Sequence, residues 1–186
     1  WKAAELVGET GVMTLEKNLP HGAGIGGGSS DAGALLRVLG SAESGAALGA
    51  DVPVCMAPMA LRMRGVGDEL SPLPALPPLW AVLVNPRIPL ETPAVFKALD
   101  RKENPAMGHV PECEDAAAFA TWCASQRNDL QAPAIARVPA IQDVLDALEP
   151  ALLARMSGSG ATCFGLCESA AQADALAAHI REDHPD

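Results

Sequence analysis

Residues 19–32 read Leu-Pro-His-Gly-Ala-Gly-Ile-Gly-Gly-Gly-Ser-Ser-Asp-Ala, and no other stretch limits what this chain can fold into so sharply. Five glycines, Gly22, Gly24, Gly26, Gly27 and Gly28, with Ala23 and Ile25 between them, run into two hydroxyls, Ser29 and Ser30. The alanine- and leucine-rich residues 31–39 that follow predict a helix. Glycine lets the backbone turn left-handed and lets the main chain come close to a ligand. A helix that opens directly after such a loop points unpaired N–H groups and a positive dipole end at whatever lies there. That combination makes an anion site, and phosphate is its usual occupant. The loop is not a Walker A motif, because no Gly-Lys-Ser/Thr follows the glycines. A Gly-x-Gly-x-x-Gly dinucleotide fingerprint fits Gly22, Gly24 and Gly27, but Lys17-Asn18-Leu19-Pro20 stands where it needs a hydrophobic strand.

Charge and cysteine usage narrow the partners. The net charge is −10 and no basic cluster exists to meet a phosphodiester backbone, so no nucleic-acid partner is expected. A local glycine loop with Mg²⁺ can still hold a nucleotide inside an acidic protein. No apolar run is long enough to span a membrane; the best, residues 79–84, is short and flanked by prolines. The five irregularly spaced cysteines are the usage of a reducing cytosol, so a cytoplasmic protein without disulfides is expected. At 186 residues the chain holds one ordinary domain or two small ones.

Residues 71–78 contain four prolines and mark the domain boundary. Before it, Lys2-Ala3-Ala4-Glu5-Leu6 reads as helix. Alternation over residues 11–17 predicts a strand feeding the glycine loop, and residues 52–57 and 60–65 predict two more. Beyond the boundary, residues 80–84 form a continuous apolar run, the pattern of a buried strand. Thr92 is placed to cap a short helix with Pro93 at its first position. Residues 112–125 and 138–148 read as amphipathic helices, the second with Ile141, Val144, Leu145 and Leu148 on one face. Residues 152–156 and 161–166 read as strands joined by Ser157-Gly158-Ser159-Gly160, and residues 169–180 as a closing helix. The sum is an α+β sandwich on an antiparallel sheet.

Each candidate group also has a plain structural role. Ser29 and Ser30 are good helix caps, and one can cap while the other faces phosphate or Mg²⁺. Asp51, between Ala50 and Val52, is a charge in an apolar setting that must be satisfied, and capping a nearby N–H would do it. Asp31 can complement the helix dipole or approach Mg²⁺. His21 reads as solvent-facing. Cys55, Met56, Met59 and Met63 suggest strand packing more than a soft-metal site. No cation stands beside the glycines in sequence: Lys17 precedes them and Arg37 lies two turns into the helix.

The glycine segment resembles the phosphate-binding loop of the GHMP kinases (galactokinase, homoserine kinase, mevalonate kinase, phosphomevalonate kinase). Further resemblances follow in family order: Gly49-Ala50-Asp51-Val52-Pro53, Gly65-Val66-Gly67-Asp68-Glu69, Thr92-Pro93-Ala94-Val95-Phe96, Asn128-Asp129-Leu130, and the stretch from Met156 through Gly160 to Phe164. The expanded Gly-Gly-Gly-Ser-Ser-Asp form is similar to one branch, which phosphorylates the 2-hydroxyl of a cytidine-diphosphate-linked methylerythritol in isoprenoid precursor synthesis. The resemblance implies a partial ribosomal-protein-S5-like domain over residues 1–74 and a ferredoxin-like, split-βαβ domain over residues 75–186. It implies ATP held by Pro20, Gly22, Ala23, Gly24, Ile25, Gly26, Gly27, Gly28, Ser29 and Ser30, with Mg²⁺ through Ser29 or Ser30. Asp51 becomes the catalytic carboxylate, and Thr92, Ser157, Gly158, Ser159 and Gly160 face the substrate's phosphate end. A monomer or homodimer acting on a small molecule is implied. The alternatives are a homoserine- or mevalonate-type enzyme, or a remnant that binds nucleotide without turnover. Relatives carry a segment ahead of the position of Trp1, with a Lys and an Asn near the site and residues that hold cytosine, and add a final strand. The link over residues 40–45 is also shorter than theirs. The chain is therefore expected to be a fragment that binds ATP weakly and shows no appreciable turnover alone.

Overall fold

The computed structural model describes residues 2–8, 10–18 and 22–184. By internal contact the chain divides into two units, Trp1–His21 with Gly26–Leu73, and Gly22–Ile25 with Pro74–Asp186.

The first unit is built on helices α1 (Lys2–Val7), α2 (Gly27–Val38) and α3 (Val52–Met56), with a 3-10 turn at Ala42–Ala47. Ala3, Leu36 and Val52, one from each helix, form its small core. Gly33 lets α3 press against α2, since a Cβ there would lie 3.2 Å from the Cys55 backbone. Arg37 Nη1 donates to the Cys55 carbonyl at 2.8 Å and ties the end of α3 to α2. Strands β1 (Leu61–Arg64) and β2 (Glu69–Pro72) make an antiparallel hairpin with Leu61 opposite Pro72.

Two expectations fail here. Residues 11–17 form no strand: among the described residues no neighbour pairs with them, and alternation without a partner leaves the backbone ladder unsatisfied. Residues 52–57 are not a strand either, because Val52–Met56 is helical. Pro53 suits a first helical turn, where its missing N–H costs nothing, and burial of Val52 outweighs the β-branched preference.

The second unit is a three-stranded antiparallel sheet in the order β3-β5-β4, formed by β3 (Trp80–Val84), β4 (Leu153–Met156) and β5 (Cys163–Cys167). Around it lie α4 (Thr92–Lys97), α5 (Ala116–Ala124), α6 (Gln131–Arg137), α7 (Ala140–Ala147) and α8 (Ala170–Asp183). Ile141, Leu145 and Leu148 are buried with Met156, Cys163, Cys167, Leu176 and Ile180 in one core, so the predicted α7 face is the packed one. Asp115 caps α5 by accepting from the Ala118 N–H at 2.8 Å, and Ser169 caps α8 by accepting from that of Gln172.

Three local expectations change. β3 is an edge strand with only Val82 buried, and Leu83 is 55% exposed; its apolar run does not mean burial on both faces. Thr92 is the first residue of α4 rather than its cap, which is Glu91, and Pro93 is the second. Helix α6 is masked in the sequence by Pro133, which sits in the first turn where no N–H is needed. No helix among the described residues is long and apolar enough to cross a membrane.

Candidate functional site

Within the first unit the glycines open a helix earlier than the composition predicts. α2 begins at Gly27, and Gly26 is its N-cap with φ 67° and ψ 18°, a left-handed conformation that favours glycine. Neither serine caps the helix; both lie inside its first turns, because the glycine backbone makes the cap by itself. The first ladder bond runs from the Ser30 N–H to the Gly26 carbonyl at 2.9 Å. The N–H groups of Gly27, Gly28 and Ser29 therefore have no carbonyl of their own helix to meet, and the dipole adds positive potential there. Gly28, Ser29 and Asp31 line a cavity of about 690 Å³ with apolar walls from Met13, Leu15, Leu35 and Val38.

A cation does reach this end of the helix. Lys17 Nζ pairs with Asp31 at 2.5 Å and stands 3.7 Å from where a Gly27 Cβ would be. Two residues fourteen apart in sequence meet here, so the distance in sequence concealed the proximity. The only signal available was a lysine just ahead of the loop.

Asp51 occupies the N-cap position of α3 and is exposed, yet its carboxylate makes no capping hydrogen bond. The plain reading of Asp51 as a cap is thereby removed. Burial, then the Asp51 charge, push the Cys55 thiol above its ordinary pKa, while Arg37 pulls it down. Cys55 Sγ also lies 4.0 Å from the position of a Gly26 Cβ. Cys55 thus lies close to the head of α2 and feels the Asp51 charge.

In the second unit, Gly22–Ile25 lies on the turn that joins β4 to β5. Ser157 Oγ donates to the Gly24 carbonyl at 2.9 Å, and the Thr162 N–H donates to the Ala23 carbonyl at 3.2 Å. Thr162 is itself buried and accepts from Asn85 Nδ2 at 2.8 Å. Gly24, at φ 75°, passes so close to the Gly160 carbonyl that any Cβ would run into it. The Thr92 and Ser159 hydroxyls are 2.8 Å apart. Gly22, Ala23, Gly24, Ile25, Thr92, Ser157, Gly158, Ser159 and Gly160 are thus gathered in this unit, and Gly26, Gly27, Gly28, Ser29, Ser30 and Asp51 in the first. Pro20 and His21 lie outside the described residues. A further cavity of about 590 Å³, lined by Arg101, Asp129, Pro133 and Arg137, contains none of the predicted site residues.

The GHMP kinases N terminal domain pattern matches residues 1–54, and the GHMP kinases C terminal pattern matches residues 109–186. The chain belongs to the GHMP kinase family, enzymes that transfer phosphate from ATP. Its sequence relatives include 4-diphosphocytidyl-2-C-methyl-D-erythritol kinases. That of Paracoccus denitrificans is 57% identical over 99% of this chain and 69% of the relative; that of Dinoroseobacter shibae is 53% identical over 99% and 68%. The crystal structure of a 4-(cytidine 5'-diphospho)-2C-methyl-D-erythritol kinase superposes with a TM-score of 0.75 at 32% identity, over 96% of this chain and 70% of that one. A homoserine kinase from Cytophaga hutchinsonii shares the fold at a TM-score of 0.64 and 19% identity, over 89% and 63%. The identities favour the cytidyl-substrate branch over the homoserine type.

Proposed function

We propose that the protein phosphorylates the 2-hydroxyl of 4-diphosphocytidyl-2-C-methyl-D-erythritol with ATP and Mg²⁺. Residues 1–74 are the remainder of the ATP-binding domain in this reading, and residues 75–186 the C-terminal domain. One observation supports it above the others: the exposed Asp51 carboxylate, which makes no capping hydrogen bond, and the open N-terminus of α2 both lie near Cys55 within one unit.

The chemistry then follows from the residues. ATP phosphates accept from the N–H groups of Gly27, Gly28 and Ser29, and Pro20, Gly22, Ala23, Gly24, Ile25 and Gly26 shape the loop around them. Asp51 accepts a hydrogen bond from the substrate hydroxyl and orients its oxygen in line with the γ-phosphorus. As the new P–O bond forms and the bond to the bridging oxygen breaks, the hydroxyl proton passes to Asp51 and ADP leaves. Thr92 and residues 157–160 bind the phosphate end of the substrate. The Ser29 and Ser30 hydroxyls are hard oxygen donors that suit Mg²⁺, whereas the Asp31 charge is already met by Lys17. When bound, Mg²⁺ supplies neutralisation of phosphate charge. The protein acts in the cytoplasm on a free small molecule, as a monomer or homodimer.

ADP release by the full-length protein with the cytidyl substrate tests this. Asp51→Asn is expected to lower kcat roughly 10²–10⁴-fold with little change in ATP affinity. Full activity in that variant would remove the role given to Asp51. Turnover of homoserine in place of the cytidyl substrate would overturn the substrate, and ATP binding without any turnover would leave a nucleotide-binding remnant.

A further inference from the structure

Asn128 lies in the link between α5 and α6, far in sequence from both glycine segments, and every polar atom of its carboxamide is used. Nδ2 donates to the Met156 carbonyl at 3.0 Å and to the Gly158 carbonyl at 2.9 Å. Oδ1 accepts from the Leu130 N–H at 3.0 Å. Gln131 Oε1, at the start of α6, accepts from the Met156 N–H at 3.1 Å, so Asn128 and Gln131 together satisfy both polar backbone groups of Met156, the last residue of edge strand β4. One side chain therefore bridges the strand end and the second residue of the turn. The residue between those two carbonyls, Ser157, holds Gly24 through its hydroxyl.

From this geometry we infer that Asn128 is a positioning residue for nucleotide phosphate. It fixes the 157–160 turn, and through the Ser157 hydroxyl it fixes the backbone of Gly22–Ile25 ahead of the phosphate-binding glycines. The inference rests on the kinase reading above for the identity of the ligand. Phosphate recognition by backbone N–H groups depends on peptide orientation, and small misplacements there are felt strongly in rate and affinity. Asn128 touches neither substrate nor phosphate in this account; it acts on a turn that carries the loop. Asn suits the task because its NH₂ reaches two carbonyls while its oxygen accepts from the Leu130 N–H just ahead of α6. Asp would keep the acceptor for the Leu130 N–H and set a carboxylate against both carbonyls.

The test is a double-mutant cycle read by ATP affinity in calorimetry and by the kcat–KM split. Asn128→Ala and Ser157→Ala are each expected to raise the Kd and KM for ATP about tenfold, and the KM of the alcohol substrate rises with them, since residues 157–160 also hold its phosphate end. Because both act through Gly24, the double variant should be little worse than the weaker single one. Hydrogen exchange at Gly158 and Gly160, which needs no ligand, should quicken in Asn128→Ala. Should that variant fold poorly, Asn128→Asp, which retains the bond from the Leu130 N–H, should show the same rise in ATP Kd. Additive losses, or folded Asn128 variants with normal ATP affinity, would overturn the positioning role alone. Failure of the unaltered protein to bind ATP would overturn the kinase reading and this inference with it.

Discussion

The glycine run at residues 22–28 and the glycine turn at residues 157–160 share a composition and differ in how their backbone is satisfied. In the turn, the Ser157 N–H donates to the Thr162 carbonyl and the Gly160 N–H to the Ser157 carbonyl. Asn128 takes two of its neighbouring carbonyls, and Thr92 meets the Ser159 hydroxyl. At the head of α2 the first N–H groups have no helical partner. Glycine serves tight packing in the turn, and at the helix head it leaves donors open. The turn is a scaffold, and Gly24 is where the run is fastened to it.

The sharpest way to break that fastening is Gly24→Ala. A left-handed φ costs a non-glycine residue about 1–2 kcal/mol, and displacing the Gly160 carbonyl adds an overpacking cost of about 1–3 kcal/mol. Denaturation should therefore show a loss of roughly 2–5 kcal/mol, with ATP binding abolished or strongly weakened. A variant of wild-type stability would mean that the run is not seated on the turn.

Alkaline pH separates the two regions more gently. Cys163 begins β5 and pairs with Met156 across the base of the turn, and burial pushes its thiol up to about 11. An unfolded thiol ionises near 9.0, so above that pH the unfolded chain gives up a proton that the folded one keeps. Stability is full below about pH 9 and falls as pH rises through the folded value near 11. The loss amounts to roughly 2–3 kcal/mol. The chain has no tyrosine to share that window. Denaturant midpoints from pH 8 to 11 should drop less steeply in Cys163→Ala, whatever its absolute stability. An unchanged slope would remove Cys163 as the cause.

How much of this was legible beforehand depends on the range of the interaction involved. α7 declared itself because Ile141, Leu145 and Leu148 follow the helical period locally, and the 157–160 turn because Ser-Gly-Ser-Gly lies between two strand-like runs. Residues 52–57 misled because their β-branched pattern is local, while the helix they adopt is fixed by contact with Leu36 and the Arg37 bond. Residues 11–17 misled because a strand requires a partner, and alternation carries no record of one. At the site, the glycines and Asp51 could be picked out as residue types, whereas the contacts of Lys17 beside Gly27 and of Asn128, marked only as part of a family segment, beneath the turn could not. Both depend on the fold bringing distant residues together, and neither belongs to a periodic pattern.

The smallest expected effect has the opposite sign from the largest. Gly28 is the second residue of α2, and a Cβ there would meet nothing within 4 Å, in contrast to Gly24. Alanine favours the helix over glycine, so Gly28→Ala should stabilise the protein by about 0.5–1 kcal/mol. If the fold alone had determined the residue, alanine would serve better. The Gly28 N–H is one of the open donors, and its Cα borders the cavity beside Ser29. A methyl group there keeps the donor but stands in the approach of a phosphate oxygen. Gly28→Ala should therefore melt slightly higher and bind ATP more weakly, a separation that a purely structural glycine cannot produce. Thermal melts alongside ATP titration of the same variant decide it. A stabilised protein with unaltered ATP affinity would move the phosphates away from Gly28, and a destabilised one would show that the helix head is as tightly enclosed as the turn.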